Sequence, residues 1–272
     1  MLSLSSNDLP PVLTPYRTAP SSGDRDFWLS LDVTHSLLVH NRAKSAQNQV
    51  FPPLPCTQYL AFTRTGDRVA YETPYFQRRK LLASLVLGYC LQPEQALLDA
   101  IMDGIWAICE ETSWCLPAHN SYIRDTEQLP LPDANRPVID LFSAETGALL
   151  AQTHSLIGDD LEAVSPQLNQ RIIGEIEKRI FIPYGTEHFW WMGNGEEPMN
   201  NWTVWCTQNV LLCTFLLPTD QAFRQRVFEK ARYSIECFLK DYGEDGCCSE
   251  GAQYYRHAGL CLYGCLDILN EV

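Results

Sequence analysis

Apolar residues recur at helical spacing along most of the chain, and hardly any segment alternates with a period of two. Leu81, Leu82, Leu85 and Val86 form one stripe, Leu97, Ile101, Ile105 and Ile108 a second, and Leu168, Ile172, Ile176 and Ile180 a third. Punctuation residues suggest the boundaries. Thr73 and Pro74 read as an N-cap and a first-position proline for a helix to about Leu91, and Pro93 starts the next. Asp140 opens a helix that Gly158 closes, Ser165-Pro166 caps another, and Asn201, Asp220 and Gly251 open the last three. An earlier helix over about 25–45 is expected to carry Phe27, Trp28, Leu31, Val33, Leu37 and Leu38 on or near its buried face. The prolines of segment 50–55 exclude a helix there, and residues 1–24 read as an extended, Pro- and Ser-rich lead-in.

Turns at Gln92-Pro93 and Pro218-Thr219 are short enough to make antiparallel neighbours, whereas the connection from Ser113 to about Ile139 is long. Long connections bunched between pairs would lie at one end of the assembly. The expected fold class is therefore all-α, with few or no strands. Residues 25–272 are expected to form an incomplete (α/α) toroid of antiparallel helical hairpins with a cleft at the loop end.

Composition narrows the picture. The chain has 272 residues, 46% hydrophobic and 19% charged, enough to bury a core and too apolar for wholesale disorder. A net charge of −13 argues against a nucleic-acid partner and sits awkwardly with an anionic substrate. No apolar run reaches the roughly 20 residues that span a bilayer, so no membrane partner is expected. The N-terminus lacks a positive n-region and an apolar h-region, so the eleven cysteines are read as reduced thiols in a cytoplasmic protein. Cys90, Cys109, Cys213, Cys237, Cys261 and Cys265 sit in apolar surroundings as small hydrophobes. Cys247, Cys248, Cys261 and Cys265 lack the paired spacing of a zinc site, so neither a metal nor a cofactor is expected.

The chemistry concentrates in two places. Asn200-Asn201-Trp202-Thr203-Val204-Trp205-Cys206-Thr207-Gln208-Asn209 puts amides and indoles at the start of an apolar helix. Sugar rings offer a C–H face to an indole and hydroxyls to an amide, so Asn200, Trp202, Trp205 and Gln208 are candidate sugar contacts, with Trp114, Trp190 and Trp191 bordering the long loops. Helix and hairpin-end packing is the competing reading of each indole. The second cluster is Glu250-Gly251-Ala252-Gln253-Tyr254-Tyr255-Arg256-His257, where a phenol beside Glu250 or His257 could move a proton. Adjacent Tyr254 and Tyr255 point about 100° apart on a helix, so one can face a cleft while the other packs. His119 gains weight from Trp114 and Asn120 around it, His154 reads as packing, and His35 and His40 fall on different helix faces.

An ordered series of motifs resembles the α-helical domain of heparinase II/III-like proteins, the polysaccharide lyases and their relatives. It comprises the run from Tyr71-Glu72 to Arg78-Arg79, then Ile105-Trp106-Ala107-Ile108-Cys109-Glu110-Glu111, then Trp114-Cys115-Leu116-Pro117-Ala118-His119-Asn120. Asp140-Leu141-Phe142-Ser143-Ala144-Glu145-Thr146, Phe189-Trp190-Trp191-Met192-Gly193 and Asn200-Asn201-Trp202 follow. The resemblance covers about residues 25–272. It implies a toroid followed by a β-sheet domain, and β-elimination on uronic-acid polysaccharides. A toroid amide or histidine would neutralise the uronate carboxylate, a base would take the C5 proton, and a tyrosine would protonate O4. Carried over by position, Tyr254 would be the acid/base and Asn201, with Asn200, the carboxylate partner. A neutral amide shares the uronate charge without a basic surface, which eases the conflict with −13.

Two departures stand out: Trp202 follows Asn201 where many relatives carry His, and no strand-rich half follows within the chain. The expectation is a helical domain, weak or inactive without a C-terminal β-domain, whose partner is an acidic polysaccharide or oligosaccharide. Two alternatives stay open. One is a glycoside hydrolase using two of Glu110, Glu111, Glu145 and Glu250; the other is a non-catalytic carbohydrate-binding or scaffold domain.

Overall fold

A computed structural model describes residues 12–124, 126–243, 245–246, 248 and 251–272, and every regular element among them is a helix. They are α1 (Arg25–Ser30), α2 (Val33–Gln47), α3 (Cys56–Tyr59), α4 (Ala61–Thr65), α5 (Val69–Leu91), α6 (Gln95–Cys109), α7 (Leu141–Val164), α8 (Pro166–Ile176), α9 (Ile182–Thr186), α10 (Asn201–Leu216), α11 (Gln221–Lys240) and α12 (Tyr255–Glu271). None is long and apolar enough to cross a membrane.

The caps at Asp140 and Asp220 are used as expected. Asp140 Oδ1 accepts from the Ser143 N–H at 2.7 Å, and Asp220 Oδ1 from the Phe223 N–H at 2.8 Å. Helix α6 begins at Gln95, two residues after Pro93, and four boundaries differ by more. First, α5 begins at Val69, not Thr73: the Asp67 carboxylate accepts from the Ala70 N–H at 3.2 Å, and Pro74 sits inside the helix. Second, Gly158 does not end α7. Non-helical dihedrals at Ile157 (φ −132°, ψ 16°) kink the helix, which runs on to Val164. Carbonyls at the kink are taken from outside the helix: Leu156 O by the Ser22 N–H at 2.7 Å, and Gly158 O by Asn169 Nδ2 at 2.9 Å.

Third, the first helix divides into α1 and α2, and only Trp28 of its six expected apolar residues is buried. Leu31, Val33, Leu37 and Leu38 are exposed; α2 instead buries the small Ala43 and Ala46 against α5. A Cβ on Gly88 would stand 2.1 Å from that of Ala43, so glycine sets the α2–α5 approach. Fourth, α12 begins at Tyr255 rather than Gly251.

Side-chain contacts give the helix directions. Tyr75 on α5 meets Phe142 and Thr146 near the start of α7, while Tyr89, further along α5, meets Asp160. Trp205 on α10 meets Glu145, and His257 on α12 lies against Trp205. Gln208, one turn on, abuts Gly264 of α12. Helices α5, α7, α10 and α12 therefore run side by side in one direction, and the chain returns from each to the next through α6, α8 and α11, which pack outside them. The start of α7, α10 and α12 all fall at one end, with the 113–140 connection. At the opposite end, residues 13–22 strap the bundle: Thr14 N bonds Val272 O, Tyr16 N bonds Phe215 O, and Arg224 Nη1 bonds Leu13 O at 3.2 Å.

One buried charge cluster ties α5 to α6. Glu111, 5% exposed, accepts a fork from Arg79 (2.7 and 2.5 Å) and a third bond from Arg78 (3.1 Å). Arg179 holds its backbone oxygen at 2.6 Å. Glu111 is thereby spent on structure.

Candidate functional site

The long connection enters the loop end through the single 3₁₀ turn of Pro117–His119. Buried Asn120 pins it by donating to Leu129 O at 2.9 Å. The turn delivers the His119 imidazole to the start of α7. There the carboxylate of Asp140, fully buried, divides its two oxygens. Oδ1 takes the Ser143 N–H and hydroxyl at 2.7 Å each; Oδ2 takes the Leu116 N–H at 3.3 Å and lies 2.7 Å from His119 Nδ1. An acceptor surrounded by donors selects the tautomer with hydrogen on Nδ1, leaving Nε2 for other work. Arg68 Nη2 is 3.5 Å from that Nε2.

Around the imidazole the rings form a continuous wall. His119 stacks on Phe142 at 5.9 Å and meets the edge of Trp202 at 4.8 Å, and Trp202 lies 5.2 Å from Trp190. His119, Trp190 and Trp202 line a cavity of about 250 Å³ that opens to solvent, together with Ser121, Arg124, Gln128, Trp191 and Asn200. The Asn200 side-chain oxygen caps α10 by accepting from the Trp202 N–H at 3.1 Å. That bond directs the amide NH₂ elsewhere, as a donor.

The sequence-derived candidates divide between this cavity and other places. His119, Asn200, Trp202 and Trp191 line it, although Trp191 is 1% exposed and its indole N–H is committed to Ile139 O at 2.9 Å. Trp114 is a correction. At 2% exposure it is core, donating to Ile108 O under the Arg179 guanidinium, and cannot wall a cleft. Gln208 is packed against Gly264, where a Cβ would lie 2.1 Å from its amide nitrogen. Asn201 starts α10 at only 3% exposure, so it does not line the cavity.

Tyr254 precedes α12 and is 40% exposed. It lies at the same end of the bundle as Asn201, with Trp205 and His257 packed between the two helices at 3.8 Å. Glu250 lies outside the described residues.

Trp205 and His257 form a second layer behind Phe142. The Trp205 N–H donates to Glu145 Oε1 at 2.7 Å, and burial raises the Glu145 carboxyl above its ordinary value of 4.5 against that bond. Burial likewise lowers His257 below 6.5. Cys261 Sγ is 3.5 Å from His257 Nε2, but burial pushes its thiol up to about 12, so it stays protonated and unreactive.

Sequence reasoning did not pair Asp140 with His119, because Asp140 is fully accounted for as a helix cap. It also did not single out Arg124, whose guanidinium lies 4.6 Å over the Trp190 ring. The class that fold and site together define is an all-helical protein with an indole-walled cavity and a carboxylate-oriented histidine at its loop end. No protein-family model matches this chain, and no curated protein matches it.

Proposed function

We propose that this chain is the sugar-binding helical domain of a polysaccharide lyase of the heparinase II/III-like kind, cleaving uronic-acid polymers by β-elimination. The observation that carries the reading is the 2.7 Å contact between His119 Nδ1 and Asp140 Oδ2 inside an indole-walled, amide-bearing cavity. Four side-by-side helices with returning outer helices are also what an (α/α) toroid requires, and toroid is the arrangement proposed.

In this account the uronate ring lies against Trp202 and Trp190, and the Asn200 amide donates to its carboxylate. Carboxylate hydrogen bonding acidifies the C5 proton. His119 Nε2 takes that proton, the C5–H electrons form the C4=C5 double bond, and the C4–O4 bond breaks. The proton returned to O4 comes from Tyr254. Asn201, being buried, supports the α10 start rather than touching sugar.

The test mixes the protein with uronic-acid polysaccharides and follows ultraviolet absorbance of the unsaturated product. Product from wild type and none from His119→Ala is expected. Cleavage that yields only saturated ends would refute the lyase and favour hydrolysis, for which half-buried Glu145, whose carboxyl burial raises above its ordinary value, is the candidate general acid.

A further inference from the structure

At the end of the bundle away from the indoles, a hollow of about 510 Å³ opens to solvent between the strap, the α7 kink and the turn from α10 to α11. Arg224 lines it at only 6% exposure. Its Nε donates to Thr219 Oγ1 at 3.0 Å, its Nη1 to Leu13 O at 3.2 Å and its Nη2 to Leu217 O at 3.4 Å. All three acceptors are neutral, and among the described residues no carboxylate pairs with this guanidinium. A cation so buried is costly without a counter-charge, and part of its donor fork stays uncommitted. Arg17, exposed on the strap, brings a second cation to the same hollow and makes no hydrogen bond or ion pair among the described residues.

Negative charge enters from α7. Asp159 and Glu162, both exposed, line the hollow just past the kink. Glu162 accepts from Asn169 Nδ2 at 2.8 Å, while Asp159 has no hydrogen bond among the described residues, and neither carboxylate pairs with either arginine. His154 also lines the hollow, and burial holds its imidazole below 6.5, so it stays neutral at pH 7. Two cations and two carboxylates thus share one hollow without closing on each other.

We propose that this hollow binds a small zwitterion, a free amino acid with an apolar side chain, its carboxylate on Arg224 and Arg17 and its ammonium at Asp159 and Glu162. The site is independent of the sugar reading, because it lies at the other end of the bundle. A simple anion would meet the two carboxylates and a simple cation the two arginines, whereas a dipolar ligand satisfies both sets. The strap and α11 hold the cations and α7 the carboxylates, so the two poles are set apart before ligand arrives, which lowers the ordering cost. Pro15, Ala19 and Pro218 supply apolar wall for a side chain, and the volume falls within the roughly 300–1,000 Å³ of small-molecule sites.

Calorimetry with L-leucine, N-acetyl-leucine, leucinamide and N-acetyl-leucinamide tests the assignment on wild type, Arg17→Gln and Asp159→Asn. Arg224 is left in place, because it also fastens the strap to α11. Both substitutions fall at exposed positions, so the melting temperature without ligand is expected to stay the same. Leucine should bind wild type at least about tenfold more tightly than either singly blocked form, the scale of one lost charged hydrogen bond. Asp159→Asn should weaken leucine but not N-acetyl-leucine, and Arg17→Gln should weaken leucine but not leucinamide. Leucine should also slow amide exchange in the 13–22 strap. Failure of leucine to bind at millimolar concentration, equal affinity for leucine and its doubly blocked form, or binding that leaves strap exchange unchanged would overturn the proposal. Preference for N-acetyl-leucine over leucine would make the hollow an anion site and overturn the dipolar assignment.

Discussion

At the scale of single residues, the account turns on Asp140 acting twice, once as a helix cap and once on His119. Asparagine caps a helix about as well as aspartate, so Asp140→Asn separates the two roles. Its amide must turn donors toward either the Leu116 N–H and His119 or the Ser143 pair, and either choice removes the acceptor that holds hydrogen on His119 Nδ1. The expected result is loss of activity by about 10²-fold, on the scale of removing a hydrogen-bonded orienting partner, with altered imidazole nitrogen shifts by NMR. A variant with wild-type activity and tautomer would exclude the positioning role.

His119 was legible in the sequence from Trp114 and Asn120 around it, yet the reasons were partly wrong. Trp114 turned out to be core, and Asn120 a loop brace. Asp140 was legible as a cap because capping is local. Its second oxygen was not, because the partner is brought in by a loop whose path no periodicity encodes.

At the scale of elements, the helical stripes were readable because burial selects one face: α6 buries Leu97, Ile101, Ile105 and Ile108, and α8 buries Ile172 and Ile176, with Leu168 half-buried and Ile180 buried just beyond its end. Boundaries failed where a proline or glycine was assumed to punctuate. Pro74 is tolerated inside α5 and Gly158 inside α7, since the groups freed at the α7 kink are bonded by Ser22 and Asn169. Helix α2 misled for another reason: it packs through alanines, so its larger apolar side chains face outward.

That packing gives a clear test. Gly88→Ala puts a methyl 2.1 Å from the Ala43 Cβ, with helix backbone on both sides. The expected cost is about 1–3 kcal/mol in denaturant unfolding, and Ala43→Gly in the same chain should recover part of it. The Glu111 cluster predicts a larger effect. Glu111→Gln leaves Arg78 and Arg79 buried without their counter-charge, a loss of about 3–5 kcal/mol by the same measurement. A loss below about 1 kcal/mol would mean that water reaches those guanidinium groups.

At the scale of the whole molecule, half-buried titratable groups on and beside α7 pull stability in opposite directions as pH changes. Burial raises Glu145 above 4.5, so the folded chain retains a proton that the unfolded chain has released. This group's contribution therefore falls as pH climbs from 4.5 through its folded value. Burial lowers His154 and His257 below 6.5, Asp159 and Glu162 partly opposing it at His154. The unfolded chain then takes up protons first, and stability falls as pH drops below 6.5 toward their folded values. Thermal unfolding against pH should show the acid limb flattened in His257→Gln and the Glu145 slope absent in Glu145→Gln; unchanged profiles would place both side chains in water.

The central claim concerns where sugar sits, and a crystal structure of the protein soaked with an unsaturated uronate disaccharide tests it most directly. The account predicts a ring against Trp202 and Trp190, its carboxylate at the Asn200 amide and His119 Nε2 toward C5. Ligand found instead in the cavity of about 510 Å³ between the 15–21 strap and the α7 kink, with the loop end empty, would contradict it.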